Sequence, residues 1–492
     1  MPDPAVRIHA PEFPLGLDWF NVAAPLSLKA LRGKVVLFDF WTYGCINCLH
    51  VLPDLKRLEE KYRAELVVIG VHSAKFTNER QGENLRRILV RYDVDHPVVN
   101  DARFEIWKSY GARAWPTQVL IDPEGYVVAT ASGEGNAAAF DRAIAAVIHV
   151  FDEHAKLDRT PIALSPERER LAMGTLAFPG KVLADEASGR LFIADSNHHR
   201  ILVTTLDGRI TSVIGHGASG GIDGAFDHAR FYRPQGMALD DDTLFVADTE
   251  NHLVRAVDLR AERVTTVAGT GKQAAWGGAG GAARETSLSS PWDLQVASRL
   301  LFVAMAGLHQ IWVIDLERHL VMPYAGSGRE ARVDGPVDEA AFAQPSGLAL
   351  AESTLFVADS ESNIIRAIAL PPTNDVRTLA GGDLFEFGDR DGAGDDVRLQ
   401  HPLGAAWAGG RVFIADTYNH KIKVLDPKTR RVTTFAGTGE PGLADGAATR
   451  ARFYEPGGLA ATAKVMYVAD TNNHMIRTVS LPDGRVATIE VR

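Results

Sequence analysis

Only two cysteines occur in 492 residues, so no disulfide framework holds this chain together and its fold must rest on buried apolar surface. No window approaches the roughly 18 uninterrupted apolar residues of a membrane-spanning helix. Even AAFDRAIAAVIHVF is broken by Asp141 and Arg142. The N-terminal MPDPAVRIHAPEFPLGLDWF has prolines and charges where an export signal needs a basic cap and an apolar run of about 7 to 15 residues. Positive charge is also short: 52 Lys and Arg against 62 Asp and Glu give a net charge of −10, which argues against general affinity for phosphate backbones or anionic membranes. What is present is an apolar share of 46% and a charged share of 23%, the balance of a globular protein with a large core. The length exceeds what one core organises, so two or three domains are expected. The expectation is a soluble, cytoplasmic chain with no nucleic-acid and no membrane partner. In a reducing compartment a close cysteine pair serves redox cycling or metal binding rather than stapling.

Both cysteines lie in DFWTYGCINCLHVLPDL, residues 39 to 55. Val35 to Trp41 is an apolar and aromatic run of strand length with Asp39 inside it, an anomaly in a buried strand. From Asn47 onward, Leu49, Leu52, Leu55 and Leu58 recur at helical spacing, with Asp54, Lys56, Glu59, Glu60 and Lys61 on other faces. The pair therefore sits at a strand-to-helix junction. ELVVIGVHS and PVVN read as further strands, NERQGENLRRILVRYD and ARFEIWKSYG as further helices, and TQVLIDPEGYVVATASG as a hairpin turning at Asp122 to Gly125. Alternating strands and helices that end in a hairpin predict an α/β sandwich. A cysteine at a helix N-terminus meets unpaired N–H groups and the positive end of the helix dipole, both favouring thiolate. This places Cys45 as the attacking thiol and Cys48, one turn into the helix, as the resolving one. Asp39, six residues before Cys45, would have a raised pKa in an apolar strand and could take the proton of the resolving thiol.

These residues resemble the TlpA-like branch of the thioredoxin superfamily over about residues 15 to 150. The resemblance implies that Asp39 is the buried acid, Trp41 the active-site aromatic, Cys45 and Cys48 the attacking and resolving cysteines, and Pro53 the helix-kinking proline. AWPTQVLID is similar to the family's cis-proline loop, in which Pro116 faces the cysteines. Trp41, Tyr43, Trp115 and Thr117 are then the expected substrate-binding residues. Two positions depart from the pattern. Ile46-Asn47 stands where the family usually has proline before the second cysteine, and Gly44 replaces a bulkier residue before the first. The intervening dipeptide helps set redox poise, so the direction of reaction is left open. Alternatives are a zinc site, which would need His50 or His72 as further ligands, peroxide reduction through Thr42 three residues before Cys45, and a redox-silent fold used for docking.

Beyond a charged linker at residues 153 to 173 the texture changes. A unit of 53 to 57 residues recurs six times, marked by LFIADSNHHRI, LFVADTENHLVR, LFVAMAGLHQIW, LFVADSESNIIR, VFIADTYNHKIK and MYVADTNNHMIR. Each is preceded by a proline phrase such as RPQGMAL and followed by a VTTVAGTG-like strand, the signature of β-propeller blades of about four strands. Asp195, Asp248, Asp359, Asp416 and Asp470 recur, as do His198, His252, His420 and His474. Periodic placement assigns both sets to structure rather than catalysis. The third copy has Met305 in place of Asp and a Gly/Ala-rich loop with Trp276 and Trp292, aromatics that either anchor a partner or fill a gap. Asp223-Gly224, Asp334-Gly335, Asp391-Gly392 and Asp445-Gly446 are expected to make one face acidic, which suits a protein or peptide partner better than RNA. The phrases resemble NHL repeats over nearly all of residues 174 to 492.

The combination, a thioredoxin-like domain (1–152) ahead of a six-bladed propeller (174–492), resembles the NHL-repeat-containing protein 2 family, whose animal members carry a further β-stranded domain. The resemblance implies the architecture; the cysteine spacing, Asp39 and the cis-proline phrase lead to the expectation of a CxxC thiol-disulfide oxidoreductase acting on a protein or peptide disulfide. The electron donor stays unnamed, the propeller serves as a binding module, and no cofactor or metal is expected. The competing class is a non-enzymatic interaction scaffold.

Overall fold

In a computed structural model the chain divides into two compact units, Met1–Ala172 and Met173–Arg492; the structure describes residues 7–171 and 173–492. The first unit is built on a six-stranded sheet of β1 (Trp19–Phe20), β2 (Val35–Trp41), β3 (Leu66–His72), β4 (Val98–Asn100), β5 (Thr117–Ile121) and β6 (Val127–Ser132), in the order β1-β4-β3-β2-β5-β6. Strands β2, β3 and β4 are parallel, and β5 runs antiparallel to β2 with Asp39 opposite Gln118. All seven residues of β2 are buried, as expected of a central strand covered on both faces. Helix α1 (Ile46–Lys61) buries Ile46, Cys48, Leu49, Val51, Leu52, Leu55 and Leu58. Each fully buried leucine contributes on the order of 1.5–3 kcal/mol, so this face fixes the helix against the sheet. Helices α2 (Gly82–Arg91), α3 (Glu105–Ser109) and α4 (Ala137–Asp152) follow. The first two match the expected helices; α4, which buries Phe140 and Ile144, lies in the apolar stretch interrupted by Asp141 and Arg142 and has no counterpart among them.

Residues 153–171, expected to be a linker, are instead held on the first unit. Asp158 N–H donates to Gly33, Ser165 N–H to Asn21, and Glu167 pairs with Arg86 at 2.7 Å. The lysine of Lys34 reaches Thr160 O at 2.5 Å. The proline and charge content signals an absence of regular structure, and the side chains nonetheless find specific partners.

The second unit is a propeller of six antiparallel blades. In each, the second strand (Arg190–Asp195, Thr243–Asp248, Leu300–Met305, Thr354–Asp359, Arg411–Asp416, Val465–Asp470) lies between inner and outer neighbours, and its last five residues are all buried. Five of these strands run into a 3-10 turn and that of the fourth blade into a plain turn, each closed by a left-handed residue: His199, His252, His309, Asn363, His420 and His474, with φ between 52° and 60°. Those six side chains staple the blades together. Nδ1 of His199, His252, His309, His420 and His474 accepts the N–H of Arg233, Ser290, Gln344, Glu455 and Phe178, and Oδ1 of Asn363 accepts that of His401. The Phe178–His474 bond joins the first blade to the last. The recurring histidine of the first blade is thus His199, four residues after its Asp as in the other blades, and not the expected His198, which bonds Asp195 instead.

The recurring aspartates are fully buried, and Oδ1 of Asp195, Asp248, Asp359, Asp416 and Asp470 accepts the N–H of Ala177, Tyr232, Ala343, Gln400 and Tyr454 at 2.7–2.8 Å. A cation of the third strand faces each of them: Arg200 from the start of its strand, and Arg255, Arg366, Lys423 and Arg477 from the third position of theirs. The last four of these cations also reach the Asp-Gly loops, where Asp223, Asp334, Asp391 and Asp445 accept the hydroxyls of Thr266, Thr378, Thr434 and Thr488. Burial opposes ionisation of these loop carboxylates, but the threonines and cations outweigh it and hold them below the ordinary range. The expected acidic face therefore does not follow: these charges are matched within their own blades.

Blade three breaks the pattern coherently. Met305 Sδ takes the acceptor place of the missing aspartate, receiving the Ser289 N–H at 3.4 Å. Trp312, fully buried, stands where four other blades carry the cation, its Nε1–H donating to Gln310. Trp292 is buried, whereas Trp276 is 72% exposed.

Candidate active site

Strand β2 delivers the chain to a turn, Thr42 to Gly44, and α1 begins immediately after it. Cys45 is the N-cap of α1 in extended conformation (φ −95°, ψ 116°). The Cys45 carbonyl accepts the N–H of Cys48 and Leu49 at 3.1 and 3.2 Å. Both thiols are free; Cys45 is partly exposed and Cys48 fully buried. Burial, the thiol of Cys45 and the carboxyl of Asp39 together push the Cys48 thiol well up. The two sulfurs are chemically unequal, one accessible and one held protonated inside.

Asp39 is completely buried, and neither carboxylate oxygen makes a hydrogen bond of ordinary geometry. Burial pushes its pKa up to about 7, with His96 and the Gln118 amide offsetting part of that. His96 is itself buried and pairs with Glu59 at 3.3 Å; burial lowers its pKa, but Glu59 and Asp39 raise it further than that. His96 carries no signal in the sequence: it lies 57 positions from Asp39, just before β4, which β3 separates from β2 in the sheet. A carboxyl poised near neutrality beside a buried thiol can exchange a proton with it.

The other candidate residues are placed less simply. The Trp115–Pro116 bond is cis, and Pro116 is buried. Trp115 Nε1–H donates to Ser73 O at 3.0 Å while its ring packs on Trp107 at 4.6 Å. The Thr117 hydroxyl donates to Ala114 O and contacts Ser132 Oγ. Trp41 and Tyr43 depart from expectation. Trp41 is fully buried edge-on to His72, and Tyr43 is 97% covered, stacked on His72 with rings 5.5 Å apart and bonded to Asn78. Neither offers a surface to a substrate. Trp41 is the last residue of the central strand, paired with His72 of β3, and Tyr43, in the turn that follows, packs on the same imidazole.

His50 and His72, the residues a zinc reading would require, do not join the cysteines. His50 bonds Glu134 at 2.7 Å, and His72 is buried among Trp41, Tyr43 and Asn100 with its pKa pushed down to about 4 by burial. Among the described residues no group of three or more His, Cys, Asp and Glu is placed to hold a metal. No helix among them is long and apolar enough to cross a membrane.

A second constellation lies on the propeller axis and carries no periodic signal. Register places Lys181, Gly236, Asp293, Gly347, Gly404 and Gly458 at equivalent points of the six innermost strands, each beside the alanine that precedes the recurring turn residue. Lys181 Nζ donates to Asp293 Oδ2 at 3.3 Å, to Ser346 O at 2.8 Å and to Leu403 O. All three donors are used, so the ammonium bridges three blades at the edge of an axial cavity of about 170 Å³ lined also by Met237, Gln295, Leu348 and Trp407. Side-chain identity at one blade position can be compared across repeats only once the register is known.

A family model described as thioredoxin-like matches residues 33–127, and one described as NHL repeat matches residues 231–256. Over 98% of its length the chain is 45% identical to Protein SUPPRESSOR OF QUENCHING 1, chloroplastic, of Arabidopsis thaliana; it spans 48% of that protein, about half. It is 42% identical over 98% of its length to NHL repeat-containing protein 2 of Bos taurus, spanning 71% of it. A shorter match, 31% identical over 109 residues, covers 22% of this chain and 61% of the thiol-disulfide oxidoreductase ResA of Bacillus cereus.

Proposed function

We propose, for a chain that belongs to the NHL repeat-containing protein 2 family, that Cys45 and Cys48 form the working dithiol of a thiol-disulfide oxidoreductase. The observation that carries the reading is the asymmetry of the pair: an accessible thiol at the start of α1 and a buried one beside a carboxyl titrating near 7. In the reductive direction the Cys45 thiolate attacks a substrate disulfide, the substrate S–S bond breaks, and one substrate thiolate leaves. Cys48 gives its proton to Asp39 and attacks Cys45 sulfur, releasing the second substrate thiolate and leaving a Cys45–Cys48 disulfide. An external dithiol returns the two electrons. Pro116 and the backbone beside it support an extended peptide at the site, and the propeller holds the protein or peptide that carries the disulfide. A reducing compartment, the cytosol being the simplest, suits this cycle.

The test uses the full chain with a dithiol reductant and a protein disulfide. Cys45→Ser should abolish reduction, and Cys48→Ser should accumulate a mixed disulfide on Cys45. Reduction at the wild-type rate by Cys45→Ser would remove the reading. A second reading, a redox-silent fold serving as a scaffold, draws support from the protonated state imposed on Cys48. In that case no Cys45–Cys48 disulfide forms across any glutathione poise.

A further inference from the structure

Glu79 belongs to a 3-10 turn, Asn78–Arg80, that the cysteine motif does not include, yet its carboxylate is buried directly behind the turn leading to Cys45. Oε1 accepts the Gly44 N–H at 2.7 Å, and Oε2 accepts the Thr42 hydroxyl and the N–H of Lys75 and Phe76 at 2.8 and 3.1 Å. Both ends of the Thr42–Gly44 turn are thereby tied through one side chain to the loop after β3. The next residue of the chain is Cys45, whose own N–H closes the turn onto Thr42 O at 3.3 Å. Gly44 has no room for more: a Cβ there would lie 2.9 Å from the Phe76 ring and 3.0 Å from Glu79 Oε1. The glycine that breaks the family pattern is what lets the carboxylate approach the backbone.

All the groups aimed at Glu79 are donors, three N–H groups and one hydroxyl, which is the complement a carboxylate accepts through both oxygens. An amide in its place would set an NH2 against at least one N–H donor. Such an arrangement is costly in a buried site, where an unsatisfied donor loses its full solvation. Resting on the oxidoreductase reading, we propose that Glu79 is a positioning residue for Cys45: its carboxylate fixes the turn that presents the attacking sulfur at the N-terminus of α1. The remaining titratable side chains on the segments it joins are Tyr43, Cys45, His72, Lys75 and Arg80, with Asp101 reached through Ser73. Burial pushes Glu79 itself up to about 7 in spite of its four donors.

The experiment follows Cys45 chemistry directly, so it does not depend on the enzyme turning over. In a Cys48→Ala background, Cys45 alkylation by iodoacetamide is measured from pH 5 to 9 for Glu79, Glu79→Gln and Thr42→Val. Circular dichroism and thermal unfolding of each protein report whether it folds. Both substitutions are expected to shift the midpoint of the Cys45 profile and to lower its plateau rate about tenfold or more, Thr42→Val less than Glu79→Gln, with Thr42→Ser restoring the wild-type profile. Folded variants whose profile and rate stay within twofold of wild type overturn the proposal. If Glu79→Gln does not fold, the Thr42→Val and Thr42→Ser pair decides in the same way. A dead Cys45→Ser enzyme bears on the oxidoreductase reading alone, whereas an unchanged alkylation profile sinks this inference alone.

Discussion

Replacing Asp39 by asparagine should stabilise the first unit and slow it as an enzyme, in opposite directions for one physical reason. The side chain sits in the central strand with no donor in hydrogen-bonding geometry, and burial raises its pKa from 3.8 to about 7. The ionised form is the one that burial penalises. The penalty is therefore absent below pH 3.8, grows as pH rises from 3.8 to about 7, and is complete above that. A rise of this size corresponds to about 4 kcal/mol above pH 7 and about 1.5–2 kcal/mol at pH 5. Asparagine has the same shape and never ionises, so Asp39→Asn should gain stability on that schedule. Cys48 provides the assay, because it is buried in the native fold and labels only when the unit opens. In a Cys45→Ser background, labelling with a pyridyl disulfide should be slowed by Asp39→Asn roughly a thousandfold at pH 8 and about twentyfold at pH 5. With the cysteines intact, the same substitution should reduce turnover about a hundredfold, the ordinary contribution of one proton acceptor. A stability difference that is the same at pH 5 and pH 8 would refute the reasoning, because it would mean Asp39 does not titrate in this range.

Three further outcomes follow from the propeller. His420 accepts a backbone N–H, and burial holds its pKa at about 4. Its contribution is intact above pH 6.5 and is lost as pH falls from 6.5 toward 4. His420→Asn, the residue blade four already uses at this place, should cost less than about 1 kcal/mol at pH 7 and raise the melting temperature relative to wild type at pH 4.5. Met305→Asp alone should destabilise the propeller by about 3–5 kcal/mol, because it buries a carboxylate with no cation opposite it. Adding Trp312→Arg should recover most of that in urea unfolding. Lys181→Met leaves Asp293 unmatched on the axis and carries a similar loss, while Lys181→Gly with Asp293→Gly reproduces the other four blades and should lie within about 2 kcal/mol of wild type.

The architecture was legible because both halves obey strong periodicities. Six copies of an apolar strand phrase admit few folds, and the strand-helix alternation around Cys45 admits few others. What the sequence concealed depends on contacts between distant segments. Glu79 lies 34 residues from Cys45 in a stretch that reads as an ordinary helix start, and only the packing of two loops shows its four donors. Trp41 and Tyr43 were read as substrate contacts from their place beside the cysteines. Packing decides otherwise, since both rings are buried against His72 of the neighbouring strand, a contact that no local spacing reveals. The aspartates of the Asp-Gly loops looked like surface charge because composition does not reveal that each meets a buried cation from its own blade.

Repetition also changes what counts as a candidate. In a ring of six equivalent blades, a buried charge that recurs with its partner is part of the frame, however strongly its pKa is shifted. Asp248, Asp359, Asp416 and Asp470 are raised to about 6 or 7 by burial, values that in isolation would suggest proton chemistry. Their partners recur with them, and blade three discards acid and base together for Met305 and Trp312 while keeping the strand, the turn and the His309 staple. A pair that can be exchanged for two apolar side chains in one blade of six serves packing, in keeping with the small net value of buried ion pairs against well-packed hydrophobes. Asp39 has no such equivalent. It does not recur, it lies on the strand that leads to the only two thiols of the chain, and His96 and Gln118 offset only part of the cost of its burial. No recurring frame pair accounts for its shifted pKa, and the proposed proton exchange with Cys48 draws on that difference.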